Sequence, residues 1–570
     1  MRRLIYIFII GLLLCSYTWA DGSRYASNSL LSEGKWVKIR VDKTGIYKLS
    51  YADLKNMGFS DPSKVSVHGY GGWPLDEDFS KEYIDDVPST PVWRGSDYLL
   101  FYGKGSVKWE YDSSSQTFVH TNNPYSLYGY YFVTDATPTN DMTSVAQASG
   151  ASTRITTYDD YLLHEQELVS VNQSGREFFG EDFSGARPRT ISTFSSIPGI
   201  TGADGKVTMR FISRINSGSG TASLSINDSE LLDITIPSIQ TVSSNVRSYT
   251  KAIPGTTTAL WKGSKSEKNN VVVSYSSSGH TNVRLDYIRM QFVRTLRPYG
   301  ACTFFRSLTS VGNASRFVIS EANSNTLVFD VTDALNVKRV EADLNGSELS
   351  FTIPAGRLRE FVLVQTNQTF PSPEVVGEVA SSNLHGLEQR DMIIISAPSL
   401  VQQAERLAVA HREKDGLTVE VVTPEAIYNE FSSGTPDATA YRRLMKMFYD
   451  RSSSLGNPPK YLLLFGDGIY DNRGISGEVQ GVSWSNMLLT FQSQESLNVY
   501  SYATDDYFAF LEDNSGSNFS RDKMCLGVGR FPIRTVTEAT QMVDKTISYM
   551  ENKDSGSWKN NVTFVADDGN

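Results

Sequence analysis

From Asp21 to about Phe370 the hydrophobic positions come in short runs cut by Gly, Ser, Asn and Pro. In "KWVKIRVDKTGIYKLS" Val37, Ile39 and Val41 alternate with Lys38 and Arg40, Thr44 and Gly45 supply a turn, and Ile46 to Leu49 return. A period of two with a glycine turn predicts a hairpin with one buried face. "YLLFYGKGSVKWEYD" and "YSLYGYYFVTD" read alike, with Gly103, Gly105 and Gly129 as turns or bulges. Residues 213–282 are serine-rich between strands, as sandwich loops are, and further β runs follow a break at Arg297–Gly300. The pattern predicts two β modules, residues 21–300 and 301–370. Pro371 to Gly386 then reads as a linker by composition, placed at 371–388.

After the linker the period changes. "DMIIIS", "LTVEVV", "KYLLLFGDG", "KMCLGVGRFP" and "NVTFVADDGN" are continuous apolar runs that alternate with helical stretches. The first helix carries Leu400, Ala404, Leu407 and Ala408 at helical spacing, with Ser399 as an N-cap and Gly416 as its stop. Strands apolar throughout and separated by helices predict a mostly parallel sheet covered on both faces. The fold class is therefore multidomain: a β-rich, sandwich-like N-terminal region, then an α/β domain over 389–570.

Composition agrees with an ordered, β-leaning protein: 40% hydrophobic, 11% aromatic, with 29 Tyr and 28 Phe. Residues 1–20 carry Arg2 and Arg3, an apolar run Leu4–Cys15 and small residues Thr18 and Ala20, the pattern of a cleaved signal peptide. Export to the periplasm follows. A lipid anchor on Cys15 is disfavoured by the bulky Leu14 before it. Removing Arg2 and Arg3 leaves 51 basic against 63 acidic residues. The resulting excess of negative charge argues against nucleic acid as a partner.

Candidate chemistry gathers where the strands of the α/β part run out, the position at which such sheets bind ligands. Asp467, Asp505, Asp506, Asp567 and Asp568 all fall there. Converging carboxylates bind Ca²⁺ or Mg²⁺ through oxygen, or orient a base; equally, Asp after a strand caps a turn and faces water. No G-x-S-x-G, phosphate loop, H-E-x-x-H or C-x-x-C occurs. Cys525 is expected inside a strand and Cys302 in the β region, both as small buried hydrophobes. His411 is expected as a structural residue near a helix C-terminus, and His385, in the linker, as support for a domain contact.

The runs "DMIIISAPSLVQQAERLAVAHREKDG", "PKYLLLFGDGIYD", "YATDDYFAFLED", "LGVGRFPIRTVTEATQMVDKTISYME" and "NNVTFVADDGN" resemble the gingipain-type cysteine peptidase domain. Upstream, "VKIRVDKTGIYKLSYADLKNMGF", "VHGYGG", "RLDYIRMQFVR" and "LVFDVTDALN" resemble the sortases of the type IX secretion system. That resemblance implies a caspase-like fold and a cysteine-thioester transpeptidation. The partners it implies are secreted cargo with a C-terminal sorting domain, outer-membrane attachment-complex proteins and anionic lipopolysaccharide, met at the cell surface. It matches Asp567 to the supporting acidic residue and places the catalytic His and Cys on strands after "FVADDGN". The chain is thus expected to be the N-terminal portion of such an enzyme, inactive alone, with an exposed sheet edge. No cofactor is required; a structural calcium at Asp505 and Asp506 is the metal expectation. The rival readings are a non-catalytic surface-binding protein on a decayed peptidase scaffold and a metal-dependent hydrolase using Asp467, Asp505 and Asp567.

Overall fold

The computed structural model describes residues 24–564 apart from 82, 186, 240–249, 264, 278–279, 478–485 and 554. The signal-peptide expectation for residues 1–20 lies outside the described residues. No described helix is long and apolar enough to cross a membrane.

Trp36–Val41 and Gly45–Ser50 do form strands, but they are not a hairpin. The first pairs with Gly129–Thr134 on one side and with Glu374–Val379 on the other. The second pairs with Tyr98–Gly103 in a separate three-stranded sheet. The chain turns a corner at Thr44, so Val37, Ile39 and Val41 face Tyr47, Leu49 and Phe101 across a core rather than along a ladder. Gly129 starts its strand where backbones nearly touch: a Cβ there would sit 1.9 Å from the Lys104 carbonyl oxygen.

The segment expected as a linker therefore contains an edge strand. Glu374–Val379 returns antiparallel to the first strand of the molecule, joining the two ends of the β region in one five-stranded sheet. The 21–300 module is also subdivided. Thr157–Glu165, Gly205–Ile215, Ile253–Trp261 and His280–Thr295 form one sheet of a sandwich, and Ser219–Ile226, Ser229–Pro237 and Val271–Ser276 dominate the other. Its core is Phe211, Leu224, Val273, Leu285 and Ile288. Beyond it, a second sandwich around Phe305, Phe317, Phe351 and Phe361 borrows Ser144–Val145 and Thr153–Ile155 from before the first. The boundary near residue 300 is thus crossed by strand pairing.

The α/β part is built as its apolar runs require. Strands β1 (Met392–Ser396), β2 (Val419–Val422), β3 (Tyr461–Phe465) and β4 (Gly527–Phe531) pair in the order β2-β1-β3-β4, all parallel. Every residue of β1 is buried, so both faces are covered. Helices α1 (Val401–Lys414) and α4 (Val536–Met550) pack together, as do α2 (Pro424–Phe431) and α3 (Ala438–Leu455). A short 3-10 turn, Pro398–Leu400, enters α1, so Ser399 does not cap it; its hydroxyl donates to Asn486 instead. Gly416, at φ +66°, ends the helix as expected. Asn561–Phe564 form no strand, and Phe564 is 89% exposed.

The β region and the α/β part are clamped over a wide polar seam. Helix α3 presents Arg442, Arg443, Lys446 and Asp450, charges that the sequence pattern would leave in water, yet all are buried. The Arg442 guanidinium spends its donors on three backbone carbonyls, Phe510 at 2.6 Å, Glu77 at 2.6 Å and Ser515 at 2.8 Å, and its plane lies 4.0 Å from the Phe79 ring centroid. Lys38, on the supposedly solvated face of the first strand, donates to Asn429 at the end of α2, 3.0 Å away. Burial lowers its pKa to about 8. Polar residues on this strand face a second domain rather than solvent.

Candidate functional site

The carboxyl ends of β3 and β4 meet at one arginine. Arg530, in the "GRFP" run of β4, makes a bidentate pair with Asp505, both contacts at 2.8 Å. Its other donors reach the carbonyls of Gly466, just past β3, and Leu489, each at 3.2 Å. A planar five-donor group can tie three separate loops in this way, which a lysine cannot. Asp467 is likewise engaged: its Oδ2 accepts from Arg534 at 2.5 Å and its Oδ1 from the Gly468 N–H at 2.8 Å.

The strand-end carboxylates of the cation reading have protein partners in the structure. Both Asp505 oxygens are held by a guanidinium, the position a divalent ion would need, and Asp506 is exposed. Asp467 and Asp505 bind different arginines, Arg534 and Arg530. Asp567 and Asp568 lie outside the described residues, which leaves the supporting-acid assignment to the resemblance.

Beside this knot is a cavity of about 550 Å³. Pro398 and Pro424, just past β1 and β2, and Met487–Leu489 form one wall. Tyr125, Leu127, Tyr128 and Tyr130 of the β region form the other. The β region thus roofs the end of the sheet where an α/β fold keeps its crevice.

A thiolate–imidazole pair is missing from the described residues. Cys525 lies just before β4 rather than within it, half-buried, with its Sγ 3.8 Å from the Lys523 carbonyl and its side chain hydrogen-bonded to that of Tyr449. Cys302 begins a strand, and burial pushes its thiol up to about 12, the opposite of activation. Among the described residues, neither has a histidine partner. His411 pairs with Asp415 at 2.7 Å near the end of α1, a structural role as expected.

The histidine with the most consequential setting is His385, and its domain-contact role is visible in detail. Its ring is buried, with Nδ1 2.7 Å from Glu430 of α2 and Nε2 3.0 Å from Asp85 of the β region. The Phe431 ring stacks on it at 4.6 Å. Asp86 lies close enough that Asp86, His385 and Glu430 have the composition of a metal triad. The spacing argues otherwise: two ligands at tetrahedral zinc stand about 3.3 Å apart, and 2.7 Å is a charge-assisted hydrogen bond. Asp86 is also satisfied, by Ser29 Oγ and the Leu30 N–H, both at 2.7 Å. The two carboxylates raise the His385 pKa to about 9 against its burial, making it an imidazolium clasp between domains. Sequence reading placed His385 at a contact but missed Arg530, Arg442 and Lys38, whose partners are remote in sequence; the "GRFP" run was the one signal present.

Residues 385–570 match the model of peptidase family C25, so this part of the chain is similar to that cysteine-peptidase family. Over nearly its whole length the chain is PorU-like. It is 37% identical to the crystal structure of dimeric latent PorU from Porphyromonas gingivalis, with a TM-score of 0.85, covering 96% of this chain and 52% of that one. The chain therefore spans about half the length of that relative. A disulfide-linked pilus protein of Bacillus endospore appendages (8% identity, TM-score 0.14, 26% of this chain and 96% of that one) carries no argument. Nor does the C-terminal CBM6 of LamC from Zobellia galactanivorans (14%, 0.13, 23% and 98%). A search of curated proteins finds no match.

Proposed function

We propose that the protein serves as a sortase-type cysteine peptidase of the type IX secretion system at the outer-membrane surface. In this reading a cysteine thiolate attacks the carbonyl before the C-terminal sorting domain of a secreted cargo. A histidine protonates the departing amine, and a thioester forms. An amine borne by anionic lipopolysaccharide then attacks the thioester and expels the thiolate, joining cargo to the surface. The observation that carries the reading is the 37% identity to PorU across 96% of this chain, β region and C25 part alike.

The residues described here supply the scaffold of that reaction and not its nucleophile, since Cys302 and Cys525 stand apart from every described histidine. Purified 570-residue chain is therefore expected to leave a cargo bearing its sorting domain uncut and to resist a thiol-directed peptidyl chloromethyl ketone. Protein isolated from its native cells is expected to cut the cargo and take up the probe. Cargo cleavage by the 570-residue chain that is lost in Cys525→Ser or Cys302→Ser would overturn the scaffold assignment. Absence of cleavage by the native-cell protein would overturn the sortase reading and favour a non-catalytic surface-binding role.

A further inference from the structure

A second cavity, of about 440 Å³, lies where three parts of the molecule meet. His120, Asn122 and Tyr125 come from the first β unit, Arg176 and Arg289 from the sandwich, and Arg473 from the C25 part. Each of these six residues carries a buried polar atom with no hydrogen-bond partner: His120 Nδ1, Asn122 Oδ1, Tyr125 OH, Arg176 Nη2, Arg289 Nε and Arg473 Nε. Such groups are rare because each costs free energy when left unmade. Their concentration around one space indicates a site built to be filled.

The charges decide what fills it. Every carboxylate lining the cavity already has a partner. Arg176 holds Glu77, Arg473 holds Glu167, Arg210 holds Glu177 and Asp286, His120 meets Glu165, and the N–H groups of Leu75 and Thr439 hold Asp437. Arg289 is the exception. Its guanidinium is buried, and among the described residues no carboxylate lies within salt-bridge distance and its one hydrogen bond goes to the Tyr287 hydroxyl at 3.3 Å. The Tyr287 ring, 4.8 Å away, backs its face. A buried cation without a counter-charge is unfavourable unless something else neutralises it.

We propose that this cavity binds a small oxyanion, a carboxylate or phosphate group, that neutralises Arg289. Because Arg473 belongs to the C25 part and Arg289 to the sandwich, occupancy would also tighten the joint between them. The site is separate from the strand-end knot of Arg530 and uses none of its residues.

Titration calorimetry on the full 570-residue chain tests this with sodium phosphate and with sodium malonate, against sodium chloride at matched ionic strength. Saturable binding of one anion per chain is expected for at least one of the two probes, and which one binds identifies the group. Arg289→Gln is expected to weaken it at least tenfold, and Arg289→Lys, which keeps the charge, less. If Arg289→Gln does not fold, phenylglyoxal modification of the unaltered chain, mapped by mass spectrometry, reads the same contact: the anion should protect Arg289. No binding beyond the chloride control, equal binding by Arg289→Gln, or equal modification of Arg289 with and without anion would overturn the proposal.

Discussion

The imidazole of His385 donates to Glu430 at 2.7 Å and to Asp85 at 3.0 Å, so one buried ring bonds a carboxylate of the C25 part and a carboxylate of the β region together. Two donors are needed for two acceptors, and only the imidazolium has both. A neutral ring would withdraw its donor from one of the two carboxylates, leaving Glu430 to the Leu384 and His385 N–H groups or Asp85 to the Ala26 N–H and the Tyr83 hydroxyl.

The sign of the resulting pH dependence follows directly. The folded pKa, about 9, lies above the unfolded value of about 6.5. The contribution to stability is complete below about pH 6.5 and is lost as pH rises through 9. A shift of this size corresponds to roughly 3 kcal/mol at most. His385→Gln should therefore lower the urea midpoint at pH 7, and the advantage of the wild type over the variant should shrink as pH rises from 7 to about 9. A parallel slope in the variant would sink the clasp.

Lys38 predicts the opposite slope in part of the same range. Its folded pKa of about 8 lies below the unfolded value of about 10.4, so the folded state holds the charge less readily. Stability from this group rises with pH between 8 and 10, where the unfolded chain binds the extra proton. Lys38→Met keeps the buried stem and discards the charge; it should leave stability at pH 7 unchanged or higher and steepen the alkaline fall set by His385. Loss of several kcal/mol at pH 7 instead would show that the Asn429 bond outweighs desolvation.

Lys38 also shows what the sequence could and could not convey. Alternation of Val37, Ile39 and Val41 identified a strand correctly, because side chains on a strand alternate faces whatever pairs with it. It named neither the partner strand nor the cover on the other face, since Gly129–Thr134, Glu374–Val379 and Asn429 are all distant in the chain. The parallel sheet was legible because β1 and β3 are apolar throughout. Glu374–Val379 was not, because an edge strand with Val375 and Val376 half-exposed between prolines and a glycine reads as coil. At the strand ends the aspartates were visible, but not the arginines that occupy them: Arg530 is 25 residues from Asp505 and Arg534 is 67 from Asp467.

Gly129 offers a steric test of the β region. A methyl group there would meet the Lys104 carbonyl at 1.9 Å and the Gly72 nitrogen at 2.7 Å, both backbone atoms that cannot swing away. Gly129→Ala should cost about 3 kcal/mol or more, a magnitude typical of overpacking and strain. Because that strand carries Tyr130 into the domain seam, where its backbone bonds Ser433 and Thr435, limited proteolysis should cut the variant between the β region and the C25 part. A thermal midpoint within 2 °C of wild type, on the order of the shift from under 1 kcal/mol, would contradict the close approach.

The pair Arg530–Asp505 separates a structural ion pair from a calcium site. If Asp505 serves the loops through Arg530, then Arg530→Lys loses the bidentate pairing and one or both carbonyl bonds, and it should destabilise the C25 part by about 2 kcal/mol. Asp505→Asn should cost a similar amount, and the double variant little more than either alone, since both report one interaction. Millimolar calcium should leave the wild-type thermal midpoint where EDTA leaves it, because binding would require expelling a guanidinium that also holds Gly466 and Leu489. A calcium-dependent rise that vanishes in Asp505→Asn would mean that the guanidinium yields to the ion, and that the carboxylate at the end of this sheet is a metal ligand after all.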